Sequence, residues 1–255
     1  MNNSNTPFIP KLVAHRGYAK NYPENTFSAI EAAVNCGACY IEIDIQFTCD
    51  GIAVLLHDES LLRMTGQDVL ITEIPFTSLN DYPVISTKYP ALKNTTVQIP
   101  PLDDIIQYLK NIDDVILFVE IKEESLEKFG TKFVVDKLLE IIKPLQDRAV
   151  LISYHSIALE YAKKYKQAIG WVVKKYTKKA HETVKQLNPD YLFCNVKKVT
   201  PTDLWRGNWQ WALYEITDPE QAIQLANNGI DLIETMAIGD MLKHPLLKQQ
   251  RCRND

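Results

Sequence analysis

The feature that most constrains the fold of this chain is a repeated alternation of short apolar runs and segments with helical spacing. The apolar runs contain few polar residues, which is typical of strands buried on both faces of a parallel sheet. A rhythm of about eight strand–helix units in a chain of 255 residues matches the size of a (β/α)8 barrel. The predicted strands cover residues 11–14, 40–47, 52–56, 115–122, 149–154, 169–173, 191–195, 211–216 and 231–234.

The sequence therefore predicts an α/β fold, a (β/α)8 TIM barrel. An open doubly wound sheet is the alternative, but no G-x-G-x-x-G motif follows the first strand to support it. Apolar stripes predict helices over residues 24–36 and 133–142. The run TDPE at 217–220 predicts a helix start, and NNG at 227–229 predicts its end.

One stretch interrupts the rhythm. Residues 58–98 contain turn residues and short apolar pieces with little helical or strand period. We expect an insertion on one barrel loop, after the strand ending at His57, within a single domain that covers residues 1–255. Its length exceeds that of a plain connection, so the insertion is a candidate part of the site.

Composition and charge limit the partners. The net charge of −4 and the pI near 5.8 disfavour nucleic acid, because its phosphates would be repelled by the protein as a whole. The N-terminal residues show no positive segment followed by an apolar one, and no run of about eighteen apolar residues occurs. We expect a cytoplasmic protein without a membrane span.

The cysteines are odd in number and widely spaced. Five thiols from Cys36 to Cys252 suit reduced cysteines better than a disulfide framework. Cys36 and Cys39 spell C-x-x-C, but the pair closes a predicted helix and has no second pair at metal-binding spacing. We interpret both as small apolar residues at a tight junction.

Ionisable side chains interrupt two of the apolar strands. Residues two apart in a strand face the same side, so Glu42 points with Asp44, and Glu120 points with Lys122. Four ionisable groups would be very costly in a dry core. We therefore expect both pairs at the carboxyl ends of their strands, at the barrel mouth where barrel enzymes hold their active sites.

Three more ionisable residues stand at strand ends. His15 and Arg16 end the first strand, and His57 ends the short strand after Asp50-Gly51. Two histidines can act as acid and base near neutral pH, which suits transfer of a phosphoryl group between oxygens. No Ser-His-Asp pattern supports acyl transfer instead.

The carboxylates predict a cation. Hard oxygens from Glu42, Asp44 and Glu120 favour Mg²⁺ or Ca²⁺, while a nearby histidine leaves Mn²⁺ or Zn²⁺ as alternatives. Three carboxylates with one divalent cation keep one negative charge, and a phosphodiester adds another. Arg16 and Lys122 would bring this cluster to neutrality.

The same residues carry a resemblance to a known family. Its motifs occur in order along nearly the whole chain: HRG at 15–17, PENT at 23–26, GACYIEID at 37–44, TCDG at 48–51, HD at 57–58, LRMT at 62–65, IPPL at 99–102, EIK at 120–122 and, more loosely, ISY at 152–154 and GID at 229–231. This pattern resembles the glycerophosphodiester phosphodiesterase family.

The resemblance implies a TIM barrel with a small insertion and a role in lipid metabolism: hydrolysis of a glycerophosphodiester to glycerol 3-phosphate and an alcohol, with Mg²⁺ or Ca²⁺ at the site. By position, it places the metal ligands at Glu42, Asp44 and Glu120, the general acid and base at His15 and His57, and phosphate contacts at Arg16 and Lys122.

Departures from the family concentrate in the last third of the chain. The family's Trp-Thr-Val-Asn run is replaced by YEIT at 214–217, and its Thr-Asp by Thr235-Met236. Tyr214 would then be the aromatic wall of the glycerol pocket, with Tyr154 as a second wall. Glu215 or Glu234 adds negative charge near the mouth, which bears on the choice of substrate.

Two alternative functions fit the same residues. A phospholipase D-like enzyme or a phosphoinositide-type lyase on a similar barrel would release a cyclic phosphate. A catalytically silent phosphodiester-binding protein would use the same pocket without turnover.

Overall fold

Eight parallel strands form a closed barrel in this computed structural model, which describes residues 8–93 and 95–252. The circuit runs β1-β9-β8-β7-β6-β5-β4-β2, and pairing of β1 with β2 closes it. The predicted α/β TIM barrel is thus confirmed. The barrel strands are β1 (Lys11–His15), β2 (Tyr40–Phe47), β4 (Ile116–Ile121), β5 (Ala149–Ser153), β6 (Ile169–Val172), β7 (Tyr191–Asn195), β8 (Gln210–Tyr214) and β9 (Leu232–Thr235).

A ninth strand, β3 (Ala53–Leu55), lies outside the barrel circuit. It pairs antiparallel with β2, with Gln46 opposite Val54. The predicted strand over residues 52–56 is therefore real but does not contribute a barrel position. It ends two residues before His57, so His57 lies on the loop that leads into the insertion.

Helices surround the barrel and follow most of its strands. Their bounds are α1 (Phe27–Asn35), α2 (Leu62–Thr65), α3 (Leu102–Leu109), α4 (Glu123–Phe129), α5 (Thr131–Ile142), α6 (Ser156–Lys163), α7 (Lys178–Leu187), α8 (Pro219–Asn227) and α9 (Ile238–Met241). Asp218 caps α8 by accepting from the backbone N–H of Glu220, so the predicted start of this helix is confirmed. In the described part of the chain, no helix has the length and apolar character needed to span a bilayer.

The first helix begins later than predicted. Thr26 is the N-cap of α1 and accepts a hydrogen bond from the N–H of Ala29. Glu24 and Asn25 therefore precede the helix and are free to contact other parts of the chain. Phe27, the first residue of α1, is 37% exposed.

The barrel interior is filled by residues that point inward from the strands. We call these the inner apolar cluster: Val13, Phe118, Val150, Ile152, Val172, Phe193, Ala212 and Leu232. Ring contacts tie it together, since Phe118 meets both Tyr191 and Phe193 edge to face at about 5 Å between centroids. A larger apolar layer lies between the strands and the surrounding helices.

The insertion has an apolar core of its own. It contains α2 and short 3-10 helices at Ile71–Glu73, Phe76–Asp81 and Pro90–Leu92. Its buried residues pack mainly on one another, with Leu61, Ile71 and Leu79 among them. The two ends of the insertion lie side by side, because the N–H of Leu55 donates to the carbonyl of Pro100 at 3.0 Å.

A disulfide joins Cys39, at the start of β2, to Cys252 near the C-terminus. The expectation of reduced thiols is therefore wrong for these two residues. No local pattern predicts this pairing, because the partners are 213 positions apart and are brought together only by the packing of the last described segment near the start of β2. The free cysteines of the described chain are Cys36, Cys49 and Cys194.

Candidate active site

The strand register brings the predicted acidic residues together at the barrel mouth. His15 is aligned with Glu42 across β1 and β2, and Asp44 is aligned with Glu120 across β2 and β4. All four side chains are buried. We call the mouth cluster the seven ionisable residues His15, Arg16, Glu42, Asp44, Glu120, Lys122 and Glu234.

Lys122 lies between two of the carboxylates. Its Nζ is 2.9 Å from Oδ1 of Asp44 and 3.1 Å from Oε1 of Glu120. Burial lowers the pKa of this ammonium, but Asp44 and Glu120 outweigh it and hold the pKa above its ordinary value. Lys122 is therefore a fixed positive charge at the floor of the mouth.

Arg16 follows β1 in a left-handed conformation, with φ of 56°. This turn directs its side chain to the acids: Nε lies 2.9 Å from Oδ2 of Asp44 without hydrogen-bond alignment, and Nη1 donates to Oε1 of Glu24 at 2.8 Å. The backbone N–H of Arg16 donates to Oε2 of Glu42 at 3.2 Å. Gly17, with φ of 78°, completes the turn where a Cβ would lie 2.6 Å from the backbone carbon of Ala29.

Asp44 receives the strongest positive environment in the mouth. Burial raises its pKa, but Arg16 and Lys122 dominate and hold the pKa well below its usual range. Asn25, with φ of 55°, adds a donor from Nδ2 at 2.8 Å and accepts from the N–H of Asp44 at 3.1 Å. The role of Asn25 was not predicted, because only the folded β1–α1 loop brings it to β2.

His15 lies at the carboxyl end of β1 and is largely buried. Burial, reinforced by the charge of Arg16, lowers its pKa to about 3, so the ring is neutral at pH 7. Its Nε2 is 3.8 Å from Oε2 of Glu42. Its Nδ1 is buried and has no hydrogen-bond partner among the described residues.

His57 lies at the outer edge of the mouth, with 35% of its side chain exposed. Its Nδ1 is 2.5 Å from Oδ1 of Asp58, and the other oxygen of Asp58 pairs with Nε of Arg63 at 2.5 Å. Arg63 in turn donates to Glu24 at 2.8 Å. A charged chain therefore links His57, through the insertion, to Arg16.

Glu24 connects the two ends of this chain. Burial raises the pKa of Glu24, but hydrogen bonds and charges from Arg63 and Arg16 outweigh this effect. The pKa of Glu24 is therefore below its ordinary value. Glu24 therefore bridges Arg16 and Arg63.

A cavity of about 130 Å³ opens above the mouth cluster. Both predicted histidines, Arg16, Glu120 and Lys122 line it, as do the two predicted aromatic walls. The hydroxyls of Tyr154 and Tyr214 lie 3.4 Å apart, at the ends of β5 and β8. Glu42 and Asp44 lie beneath the cavity and are almost fully buried.

Glu234 is a fourth buried carboxylate, which the sequence analysis noted only as added charge. It points inward from β9 and is 3% exposed. Burial and the neighbouring Glu120 raise its pKa well above the ordinary value. The signal in the sequence was an acid two residues after Leu232 in an apolar strand, the same spacing that revealed Glu42 and Asp44.

The predicted metal ligands fit a divalent cation. Oxygen atoms of Glu42, Asp44 and Glu120 lie within 4.8 Å of one another. One oxygen of Glu42 is buried and has no hydrogen-bond partner in the described chain. Burial raises the pKa of both Glu42 and Glu120, and a cation held by these hard oxygens would remove that penalty.

Comparison with known proteins gives related sequences. The family model of the glycerophosphoryl diester phosphodiesterase family matches residues 15–235. A glycerophosphodiester phosphodiesterase of Bacillus altitudinis is 32% identical over 153 residues, which are 59% of this chain and 61% of that protein. The chain thus matches about three-fifths of the length of that curated relative.

Solved structures extend the likeness to nearly the whole fold. A phosphodiesterase of Oleispira antarctica, solved in complex with the product sn-glycerol-3-phosphate, has a TM-score of 0.82 and 25% identity. The match covers 92% of this chain and 96% of that one. A glycerophosphodiester phosphodiesterase of Thermotoga maritima has a TM-score of 0.74 and 24% identity, with coverage of 92% and 97%.

The family match begins at His15 and ends at Thr235, so it includes every residue of the mouth cluster. This chain belongs to the glycerophosphoryl diester phosphodiesterase family.

Proposed function

We propose that this protein hydrolyses glycerophosphodiesters to glycerol 3-phosphate and an alcohol. The observation that carries the proposal is one cavity that is lined by two histidines, an arginine, a lysine and the buried carboxyl groups of Glu120 and Glu234. The product complex of the Oleispira antarctica relative supports a glycerophosphate ligand for this fold. A small-molecule substrate and a cytoplasmic location are part of the same proposal.

We assign the binding of the phosphodiester to the positive groups of the cavity. Arg16 and Lys122 are the cations that line it, and both are held in place by Asp44. They can stabilise negative charge on the non-bridging oxygens as it develops. Tyr154 and Tyr214 also line the cavity, and the glycerol or the alcohol group would pack against their rings.

We assign the proton transfers to the histidines. His15 is neutral at pH 7, so its ring can accept a proton from the attacking water. The Nδ1–H of His57 is directed at the Asp58 carboxylate, which leaves Nε2 of the protonated ring to donate to the leaving alkoxide. Water then supplies the new P–O bond, and the alcohol leaves with the proton from His57.

Glu42, Asp44 and Glu120 would hold one divalent cation, for which we propose Mg²⁺ or Ca²⁺, with Mn²⁺ as an alternative. When bound, such an ion supplies Lewis-acid stabilisation of phosphoryl oxygens. The chain's own contribution is to fix the three carboxylates, with Asp44 oriented by Arg16, Lys122 and Asn25.

The test is a coupled assay for glycerol 3-phosphate over a panel of headgroups, with Mg²⁺ or Ca²⁺ added. We expect turnover by the wild-type protein and a loss of about 10²- to 10⁴-fold in His15→Ala. His244→Ala is the matched control, because His244 pairs with Glu220 and does not line the cavity.

The alternative functions give different outcomes in the same experiment. Accumulation of a cyclic phosphate, followed by phosphorus NMR, would identify a lyase, in which a glycerol hydroxyl attacks the phosphorus in place of water. The histidines would exchange roles only if water then opened the cyclic phosphate. If no glycerophosphodiester is cleaved while one still raises the melting temperature, the protein is a binding protein and the proposed hydrolysis is wrong.

A further inference from the structure

A second group of potential ligands lies beside the first in the barrel mouth. Ligand atoms of His15, Glu42 and Glu234 lie within 4.8 Å of one another, and all three residues are at least nine-tenths buried. Glu42 belongs to both groups, whereas Asp44 and Glu120 belong only to the first.

Each member of this second group has a buried polar atom without a partner. Within residues 8–93 and 95–252, no hydrogen bond reaches Oε1 of Glu42, Oε1 of Glu234 or Nδ1 of His15. Buried polar atoms are normally hydrogen-bonded, and an unsatisfied one costs about 1–3 kcal/mol. Because each of three neighbouring side chains has such an atom, we infer that the group interacts with something other than the protein's own side chains.

The ion pairs of the mouth involve other carboxylates than those of Glu42 and Glu234. Arg16 and Lys122 form their ion pairs with Asp44, Glu120 and Glu24. In the described chain, neither Glu42 nor Glu234 forms an ion pair with a lysine or arginine. The carboxyl groups with unpartnered oxygens are therefore the ones that have no ion pair with a lysine or arginine of the described chain.

We propose that His15, Glu42 and Glu234 form a second cation-binding position, which shares Glu42 with the first. An imidazole with two carboxylates is a mixed nitrogen and oxygen donor set. It suits a first-row transition ion such as Mn²⁺ or Zn²⁺ better than Mg²⁺ or Ca²⁺. A carboxylate shared between two positions is the arrangement of two-metal sites, whose ions lie about 3.5–4 Å apart.

Occupation of this position affects the role of His15. A ring nitrogen that binds a cation cannot accept a proton, so the second ion would oppose the proton transfer assigned to His15. This consequence rests on the proposed function. It predicts that Mn²⁺ activates hydrolysis at low concentration and inhibits it at high concentration, and that Glu234→Gln removes the inhibition.

The test that does not depend on activity is the stoichiometry of Mn²⁺ binding. Chelator-treated protein is dialysed against Mn²⁺, and the bound metal is counted. We expect two equivalents in the wild-type protein and one in Glu234→Gln. Glu215→Gln is the matched control, because it removes a half-exposed carboxylate from the same cavity; it should keep two equivalents.

Electron paramagnetic resonance adds a readout on the wild-type protein alone. Two Mn²⁺ ions that share the Glu42 carboxylate should be magnetically coupled, and the coupling should be lost at one equivalent per chain. A wild-type stoichiometry of one, or two equivalents retained by Glu234→Gln, overturns the proposal. The Mn²⁺ stoichiometry can be measured whether or not the protein cleaves a phosphodiester. The number of equivalents bound by the wild-type protein tests the proposal even if the variant does not fold.

Discussion

The inner apolar cluster and the mouth cluster share three strands, β1, β4 and β9, but have opposite chemistry. On β4, Phe118 belongs to the inner cluster and Glu120 to the mouth; on β9, Leu232 and Glu234 are divided in the same way. The members of each pair are only two positions apart, which is one step of the inward-facing alternation. The barrel thus changes from a packed interior to a charged site within about one side-chain layer.

The difference shows where stability and function lie in this fold. The inner cluster excludes water and stabilises the barrel through apolar burial. The mouth cluster places four carboxylates and two cations in a buried space, which opposes folding unless the charges are paired. Substitutions in the two clusters should therefore have separable effects on stability and on activity.

The largest effect is expected in the mouth, for Asp44→Asn. Asp44 pairs with both Arg16 and Lys122, so its loss leaves two buried cations without their main partner. We expect a loss of about 3–5 kcal/mol in the free energy of unfolding, together with loss of activity. Urea denaturation and the glycerol 3-phosphate assay measure the two effects. Retention of activity would show that Asp44 does not organise the mouth.

An effect of similar size on stability alone is expected in the inner cluster, for Phe118→Ala. Truncation of this buried ring should lower the free energy of unfolding by about 3–5 kcal/mol, because it leaves a cavity. Activity per folded molecule should change far less than in Asp44→Asn. An equally large loss of activity would mean that the two clusters are not separable.

A smaller, pH-dependent effect is expected for Glu234→Gln in chelator-treated protein. Burial raises the folded-state pKa of Glu234, so its contribution to stability is present below the unfolded pKa and is lost as pH rises towards the folded one. The variant should therefore gain stability relative to wild type as pH rises from about 4.5. Thermal melts of both proteins across pH measure this. A difference that does not change with pH would contradict a raised pKa.

The smallest effect is expected at the cavity wall, for Tyr214→Phe. It removes one hydroxyl from the 3.4 Å contact with Tyr154 and leaves the ring in place. A single neutral hydrogen bond contributes about 1 kcal/mol, so a change of a few fold in KM is expected and kcat should stay nearly constant. Steady-state kinetics decide this. A collapse of kcat would place the Tyr214 hydroxyl among the catalytic groups.

Local patterns predicted most of the barrel. The strand over residues 40–47 and the strand over 191–195 have the predicted bounds, because continuous apolar runs bounded by turns carry a strong signal. The shared direction of Glu42 and Asp44 followed from strand alternation, and their place at the mouth followed from the cost of burying charge in a dry core. The same reasoning predicted the position of Glu120, which lines the cavity at the mouth.

Long-range contacts could not be read from the sequence. Asn25 reaches Asp44 only because the β1–α1 loop turns through left-handed conformations, and Glu24 meets Arg63 across 39 positions of chain. The pairing of Cys39 with Cys252 depends on where the C-terminal segment lies against the barrel. Each of these contacts is set by tertiary packing, for which local spacing carries no signal.

The insertion leaves and returns to the barrel at adjacent positions, where Leu55 bonds to Pro100 and Val54 bridges to Pro101. An insertion attached in this way can diverge in length and composition without altering the register of the parallel strands. Because the insertion contains Asp58 and Arg63, grafting it from one relative to another would transfer the surroundings of His57 as a unit. The surroundings of His57 can thus change in evolution while the barrel strands that hold the acidic residues stay constant.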